Sequence, residues 1–419
     1  MALRRDPEVQ RNALAAEAAQ RTLARRWGIF LPTITAQGGT SYSAPLFSEE
    51  SQSSSRNPSD PWSQSASLGV SLQLSPAVAP QIALLTVQRD LATLAQQERA
   101  LALSTQIRRR FYGLILNREQ LALLQEDIRL AEEQVEQATT RFNQGRVSQR
   151  VVLQAQLAAE RARLTHRQRE AEYALELTRF RSLIGMSEDE EVTLTGAFDL
   201  PQVAIPAVAV LLALPAAPAP GVLRQEETLR NAHITLQQEI LATRSPTLSL
   251  SSSWSNRFSD QWSDTLNFSL GVSLPLDGYI SASPRGQRVE RAAVQVEQAR
   301  ITRSDQAEQY RLTTGDLAAQ IRQAQEQMTI ADLQIAVAQE ILVLTQDGFD
   351  RGTVERLELE RAQRDVLDAR LNRLAADHRY TVALNDLAQH LGVPHPRQLA
   401  RMLQSTVPQQ EQEPQQENR

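Results

Sequence analysis

Cysteine is absent from the 419 residues, and so is lysine: all 44 basic side chains are arginine. Without cysteine there are no disulfides, no Cys-ligated metal, no thiol nucleophile and no lipidated N-terminal Cys. Aromatics make up only 5%, and just 16 Gly and 19 Pro are present to punctuate the chain. Long uninterrupted elements are the expectation. A net charge of −5 argues against a nucleic-acid binder, which carries a basic excess clustered on one face. What is abundant is Leu, Ala, Gln, Glu and Arg, a helix-forming composition.

Two further absences concern membranes and export. The first seven residues, Met1 to Pro7, contain no apolar core, so no secretory signal peptide is visible. The long uncharged stretch 201–223 has the composition of a membrane span but carries Pro201, Pro206, Pro215, Pro218 and Pro220. A helix broken that often would leave backbone groups unsatisfied in lipid, and the stretch reads as a linker.

An internal repeat organises the rest. Arg141-Phe-Asn-Gln-Gly-Arg-Val147 matches Gly348-Phe-Asp-Arg-Gly-Thr-Val354, with Phe142/Phe349, Gly145/Gly352 and Val147/Val354 all offset by 207. The same offset pairs Ala155-Gln156 with Ala362-Gln363, Tyr173 with Tyr380, and Gly185 with Gly392. Leu68-Gly-Val-Ser-Leu72 returns as Leu270-Gly-Val-Ser-Leu274, and Pro32-Thr33 as Pro246-Thr247. Order is kept and spacing shifts only by loop lengths, so the chain reads as two copies of one unit, 1–200 and 201–400, followed by a disordered Gln/Glu-rich tail over 401–419.

Within each copy the periodicity changes character. Ala66, Leu68, Val70, Leu72 and Leu74 alternate with Ser and Gly, as do Leu266, Phe268, Leu270, Val272 and Leu274. Strict period two over about ten residues is a strand with one apolar and one polar face. Weaker partners at 33–42 and 247–258 complete two hairpins, 32–75 and 246–276. The long segments 80–142 and 284–349 are helical and would run roughly 95–100 Å each. Their seams are heptads, Ile107, Leu114, Leu121, Ile128, Val135 and Ile321, Met328, Ile335, Leu342, with Ala partners three residues on. This is left-handed coiled-coil packing with close helix approach. The remaining helices, 7–31 with 148–185 and 220–245 with 355–391, sum to the length of one long helix, so two shorter helices stack end to end beside each long one. The expected census is four strands and six helices, with Asp6 and Ser283 as N-caps.

Four such strands cannot close a barrel alone, and isolated hairpins are marginal in water. Their polar faces hold Ser, Thr, Gly, Asn and Gln without charge. Their apolar faces carry Tyr42, Trp62, Trp254, Phe258 and Trp262 toward the hairpin ends. An apolar band, a polar lining and flanking aromatics mark a membrane β-barrel with an aromatic belt in contact with the lipid bilayer. A soluble sheet lying on a core is the alternative, but no spare apolar element exists to cover it. Three chains of four strands would give a twelve-stranded barrel, prolonged by the helices as a coiled-coil tube.

On the duplicated Phe-x-x-Gly-x-Val turns, the Ala-Gln pairs at 155–156 and 362–363, and the duplicated Leu-Gly-Val-Ser-Leu strands, the chain resembles the outer-membrane efflux proteins, the TolC-like trimeric channels, over essentially its whole length. The resemblance implies a homotrimer with long antiparallel coiled-coil helices forming a periplasmic tunnel. Such a protein is a passive exit duct for efflux or type I secretion, docked to an inner-membrane transporter through a periplasmic adaptor (membrane fusion) protein. It implies adaptor contact at the helix turns, here Gly145, Val147 and Ser148, with Gly352, Thr353 and Val354. Glycine as a turn former accounts for the residue choice there equally well. It also implies acidic residues lining a periplasmic gate six and nine positions past the second turn glycine. Glu358 matches and Arg361 does not, a departure that counts against a simple double acidic ring and leaves Glu–Arg pairing as the alternative. Outer-membrane placement requires export, so a truncated or misassigned start, or a mature segment, is expected.

Other features carry less. His166, His233, His378, His390 and His395 show no paired ligand spacing, and no cofactor is implied. Arg108-Arg-Arg110 reads as a solvated tunnel face rather than a nucleic-acid patch. No nucleophile–base arrangement or phosphate loop stands out, so an enzyme is not expected. The rival class is a soluble coiled-coil scaffold without a transport role, which explains the rods but not the alternating strands.

Overall fold

A computed structural model describes residues 5–42, 62–186, 190, 192–198, 200–214, 218–258 and 262–406. In chain order these form α1 (Pro7–Ala24), β1 (Thr33–Tyr42), β2 (Trp62–Leu74), α2 (Val78–Asn143), α3 (Gln149–Ile184) and α4 (Val208–Ala213). The second half follows with α5 (Pro220–Arg244), β3 (Thr247–Phe258), β4 (Trp262–Ser273), α6 (Pro284–Asp350), α7 (Arg356–His390) and α8 (Pro396–Thr406). Asp6 and Ser283 act as expected: the Val9 amide donates to Asp6 Oδ1 at 2.8 Å and the Gly286 amide to Ser283 Oγ at 2.9 Å.

The chain divides into two compact units, each drawn from both halves of the sequence. The first comprises Met1–Ala13, Leu94–Leu223 and Asp305–Arg419; the second comprises Leu14–Thr93 and Arg224–Ser304. The second unit holds all four described strands, in one antiparallel sheet of order β1-β2-β3-β4. The hairpin loop at 43–61 lies outside the described residues.

The first unit is helical. Ile128 and Ala131 of α2 pack with Ala159 and Ala162 of α3, and Ala338 of α6 packs with Val366 and Ala369 of α7. The heptad seams are therefore real: Leu114, Ile128, Ile321 and Met328 are all buried. Alanine recurs at the contact because only a small side chain lets two backbones approach over many turns. A larger core gathers Ile321, Met328, Tyr380, Leu384, Leu387 and Leu391 around Leu211 and Leu403. The Tyr380 hydroxyl donates to the Pro201 carbonyl (2.7 Å) and accepts from the Val203 amide (3.2 Å), while Gln325 donates to the Val203 carbonyl (2.8 Å). Those bonds satisfy linker backbone that would otherwise be buried unpaired.

The element count differs from expectation: eight α-helices, not six, occur among the described residues. α4 lies inside the expected linker, anchored by fully buried Leu211. α8 occupies 396–406, including the first residues of the expected disordered tail; Pro396 starts it, and Leu399, Ala400 and Leu403 are fully buried. Residues 407–419 lie outside the described residues. The first helix stops at Ala24 rather than reaching 31, giving way to a 3-10 turn over Arg26–Phe30. Leu31, which precedes Pro32, is extended (φ −78°, ψ 140°), as a residue before proline prefers.

Where helices meet end to end, the repeat is visible at atomic level. α3 and α7 both finish in a left-handed glycine, Gly185 and Gly392, each with φ 74°. Each end has the paired bonds of a Schellman cap: Gly185 N to Ser182 O (3.1 Å) with Met186 N to Arg181 O (3.0 Å), and Gly392 N to Gln389 O (3.0 Å) with Val393 N to Ala388 O (2.8 Å). The residues opening the next helices sit against these caps. The Arg5 guanidinium donates to the Gly185 carbonyl. A Cβ on Gly392 would lie 3.1 Å from Ala219 Cα and 3.3 Å from Pro220 Cδ. Gly392→Ala therefore carries both the left-handed penalty, about 1–2 kcal/mol, and a backbone clash, whereas Gly145→Ala, with nothing within 4 Å, carries the first alone. Thermal melts followed by far-UV circular dichroism should show the larger loss for Gly392→Ala.

Candidate functional site

The register of the sheet sorts its side chains into two unlike faces. Across the four strands, Ile34 lies beside Val70, Val70 beside Ser252 and Ser252 beside Phe268; one step along, Leu72, Leu250 and Leu270 align. This face continues through Leu68, Trp254 and Leu266 and is largely exposed, with Leu270 and Val272 at 72%. The opposite face aligns Thr35, Gly69, Ser253 and Asn267, and then Thr33, Ser71, Ser251 and Ser269. Cross-strand hydroxyl pairs, Ser41 with Ser63 (2.7 Å) and Ser251 with Ser269 (2.6 Å), run along it. The expected absence of charge needs one correction. Arg257 belongs to the polar face near the loop end, because β3 continues regular alternation to Phe258. On the apolar face near the same end, Asn256 donates to Asp264 at 2.5 Å, which satisfies a carboxylate otherwise placed among apolar neighbours.

The aromatic positions read from sequence cluster at the loop end of the sheet. Tyr42 pairs with Trp62, ring centroids 4.9 Å apart, and Phe258 pairs in register with Trp262. Trp254 sits further along the same face. A second aromatic group, at the helix end, was not read from the sequence. The turn before β1 presents Trp27 and Phe30, centroids 5.8 Å apart, and the turn after β4 presents Tyr279. Tyr279 donates to the Arg244 carbonyl at 2.9 Å, and Arg244 also lies over its ring. Their signal was weak because they fall in 3-10 turns, where neither a period of two nor of 3.6 applies. From Phe30 to Tyr42 is roughly 40 Å along an extended strand, about 30 Å after a tilt near 40°. With the tilt usual for barrel strands, the two aromatic groups would stand about a hydrocarbon core's thickness apart.

In the first unit, two hairpin tips carry the other expected site residues. Gly145 (φ 69°) and Gly352 (φ 76°) are both left-handed. Each closes a Schellman cap, with Arg146 N to Arg141 O at 2.9 Å and Thr353 N to Gly348 O at 2.9 Å. Ser148 and Glu355 occupy the N-cap positions of α3 and α7. Gly145, Ser148, Gly352 and Thr353 are exposed, and Val147 and Val354 are half-buried. The tips are not identical: Val354 folds back onto Gly348, where a Cβ would meet its Cγ2 at 2.4 Å. The equivalent position in the first copy is Arg141, whose guanidinium instead lies 4.8 Å from the ring centroid of Phe349. Glu358 and Arg361 stand on the first turns of α7, both exposed, and among the described residues no ion pair joins them.

The arginine triplet is partly exposed, as the solvated reading expects, but each member also has a partner across the helices. Arg109 reaches both oxygens of Asp386 at 2.7 Å, Arg108 donates to Asn385 (3.3 Å) and to the Pro394 carbonyl, and Arg110 bonds Glu176 at 3.0 Å. Three consecutive side chains thus fasten α2 to α7 on one side and α3 on the other.

The family model for outer membrane efflux proteins matches residues 1–186 and 222–393. The chain belongs to the outer membrane efflux protein family. Among solved structures, the Campylobacter jejuni CmeC outer membrane channel is similar at 14% identity and a TM-score of 0.77, covering 97% of this chain and 88% of that one. The open-state Neisseria gonorrhoeae MtrE outer membrane channel is similar at 17% and 0.73, covering 94% and 88%. The Vibrio cholerae outer membrane protein VceC is similar at 16% and 0.72, covering 93% and 94%. At such identities the likeness is one of fold. No curated protein matches the chain. The family is one of channels, not enzymes, and among the described residues no cluster of three or more His, Asp or Glu could hold a metal ion. α6 contains a window apolar enough to cross a membrane by composition alone. In this efflux-family chain the Met328 and Ala338 seam of α6 accounts for only part of that apolar content, since Ile330, Leu333, Val343 and Leu344 of the same helix are exposed.

Between α2, α3 and α7 of the efflux-family fold runs a groove of about 350 Å³ whose lining includes Asp127, Arg364 and Asp368. Burial pushes the Asp127 carboxyl above its ordinary value; Arg364 opposes this and Asp368 adds to it. A raised carboxyl pKa means the folded state holds the proton more tightly, so stability falls as pH rises through that raised value. Asp127→Asn should therefore raise the melting temperature at pH 7–8, and the gain should vanish below the ordinary value of 3.8. On the sheet, Leu270→Arg should cost about 2–4 kcal/mol if that face meets lipid. Urea titrations of bilayer-folded protein measure this; no loss would assign the face to water.

Proposed function

We propose that the chain is one third of a trimeric outer-membrane channel, the passive exit duct of a tripartite export system. The observation that carries this is the sheet: one face apolar and exposed, the other polar and hydroxyl-lined, and both outer strands, β1 and β4, open. Open edges are a liability that closure removes. Three copies joined β4 to β1 would form a twelve-stranded barrel with its apolar face to lipid and its polar face to water, an even number within the range of such barrels. The helical unit would prolong it as a tunnel in the periplasm. The energy for transport would come from an inner-membrane pump, since a pore lined by hydroxyls and amides offers a path and no chemistry.

The hairpin tips at Gly145–Ser148 and Gly352–Val354 are the contact points for a periplasmic adaptor in this reading. Exposed backbone at a tight reversal lets a partner's helix approach closely. Glu358, exposed near the start of α7, is the gate residue, with Arg361 one turn on as its counter-charge. An efflux duct and a type I secretion duct share this body, and the proposal covers either.

Fractionation and conductance test the reading together. The protein should sediment with outer membranes, need detergent for extraction, run as a trimer and give discrete conductance steps in planar bilayers. A soluble monomer without conductance would assign it instead to the scaffold class. Glu358→Gln should lower cation preference, read from the reversal potential in a salt gradient; an unchanged potential removes Glu358 from the gate.

A further inference from the structure

Along the helices of the first unit, arginine repeatedly pairs with a carboxylate three or four residues away. Arg129 does so with Glu126 and Glu133, Arg163 with Glu160, Arg169 with Glu172 and Arg311 with Glu308. The first hairpin tip departs from this habit. Residues 137–159 hold Arg141, Arg146 and Arg150 and no Asp or Glu. Arg141 lies against the Phe349 ring. Arg146 and Arg150 are exposed, and among the described residues no carboxylate pairs with either.

The second tip has the opposite sign. At the equivalent positions, 207 residues on, Asp350, Glu355 and Glu358 replace Asn143, Ser148 and Val151, while Thr353 and Leu357 replace Arg146 and Arg150. The arginines of this tip are already neutralised: Arg351 pairs with Asp347 and Arg356 with Glu360, both at 2.9 Å. Asp350 accepts from the uncharged Gln346 amide at 3.2 Å. Glu355 holds the N-cap position of α7 without a side-chain capping bond. The two tips are neighbours, since Arg141 of the first stands 4.8 Å from the Phe349 ring centroid of the second. Even so, among the described residues no ion pair joins Arg146 or Arg150 to Asp350 or Glu355.

Two of these charges also oppose their own helices. Arg150 stands in the first turn of α3 and Asp350 is the last residue of α6, where the macrodipole favours the other sign. Local helix stability therefore accounts for neither.

We infer that the two tips form a polarised docking surface, in which Arg146 and Arg150 receive an acidic patch of the adaptor and Asp350 and Glu355 receive a basic one. The inference rests on the adaptor reading above and gives that partner a chemistry. A partner that reaches both tips carries both signs of charge and has one productive orientation, because turning it round sets like charges against each other.

The cysteine-free, full-length protein in detergent allows each tip to be watched separately. An environment-sensitive maleimide dye is attached at Gln149→Cys for the first tip or at Leu357→Cys for the second. Two alanine-based helical peptides, one glutamate-rich and one lysine-rich, are the probes. At the first tip the glutamate peptide should bind about fivefold more tightly or better, and at the second tip the lysine peptide should. Both preferences should fade in about 0.5 M NaCl, where the Debye length falls to a few ångström. Arg146→Glu with Arg150→Glu should exchange the peptides at the first dye and leave the second unchanged. The milder Arg146→Gln with Arg150→Gln should abolish the preference at the first dye alone. Peptides that bind neither tip, or both alike, overturn the polarised surface while the channel stands on its conductance. Reversed charges that leave the preference unchanged do the same. Sorting of the peptides by a protein that gives neither trimer nor conductance overturns the adaptor as the occupant.

Discussion

The structure depends on one constraint: a four-stranded sheet with an apolar face that nothing among the described residues covers. Leu, Val, Phe and Trp on that face remain largely exposed, and transferring such surface out of water is worth roughly 25 cal/mol per Å². Either lipid or another protein surface has to supply the cover. The opposite face, built of Ser, Thr, Gly and Gln, needs the reverse, because its hydroxyls satisfy only some of their hydrogen bonds within the sheet. A barrel wall in a membrane meets both demands with one element. In such a wall the two aromatic groups, at the loop end and the helix end, would stand where an amphipathic ring is most stable, between apolar and aqueous surroundings.

The helical unit solves a different problem with equally little material. Coiled-coil packing buries one narrow stripe per helix, so a long helix needs only alanine, leucine and isoleucine at seven-residue spacing. Stiffness follows from continuity, and termination has to be supplied separately. Glycine does this four times, at Gly145, Gly185, Gly352 and Gly392, each with positive φ and the same pair of capping bonds. At Gly185 and Gly392 the residues that open α1 and α5 pack against the cap. At the two tips the chain instead reverses into a partner helix, and open space surrounds both glycines.

Legibility from sequence followed periodicity. The strand faces were readable because the side-chain period is two, so the register later placed Leu68, Trp254 and Leu266 side by side as the alternation implied. The heptad seams were readable for the same reason, and so were Asp6 and Ser283, whose capping bonds are local. What escaped had no period. Trp27, Phe30 and Tyr279 lie in 3-10 turns; α4 and α8 are short, and their burial depends on Leu211 and Leu403 meeting a core assembled from distant segments. The partners of the arginine triplet, Asp386 and Glu176, escaped because they lie far from it in sequence. Of the candidate site residues, the tip glycines were legible as turns, and the backbone bears that out. The gate pair was legible only through resemblance, since an exposed Glu358 and Arg361 on a helix surface carry no local signal.

Duplication followed by divergence gives the two copies different chemistry at matching positions, and the direction of the difference has a physical basis. The α2–α7 contact lies within one chain, so covalent linkage already holds its halves at high effective concentration. Such a contact can tolerate polar pairs, a groove of about 350 Å³ and a carboxylate, Asp127, whose burial raises its pKa. A contact between separate chains has no such advantage and must offset about 4–15 kcal/mol of lost translational and rotational freedom. Apolar side chains supply most per unit area toward that cost, and they are what the image positions, 207 residues away in the other copy, hold: Ile341 for Gln134, Leu344 for Gln137, Leu153 for Glu360, Leu157 for Arg364. The repeat therefore places polar residues at the contact made within the chain and leucine and isoleucine at the exposed image positions.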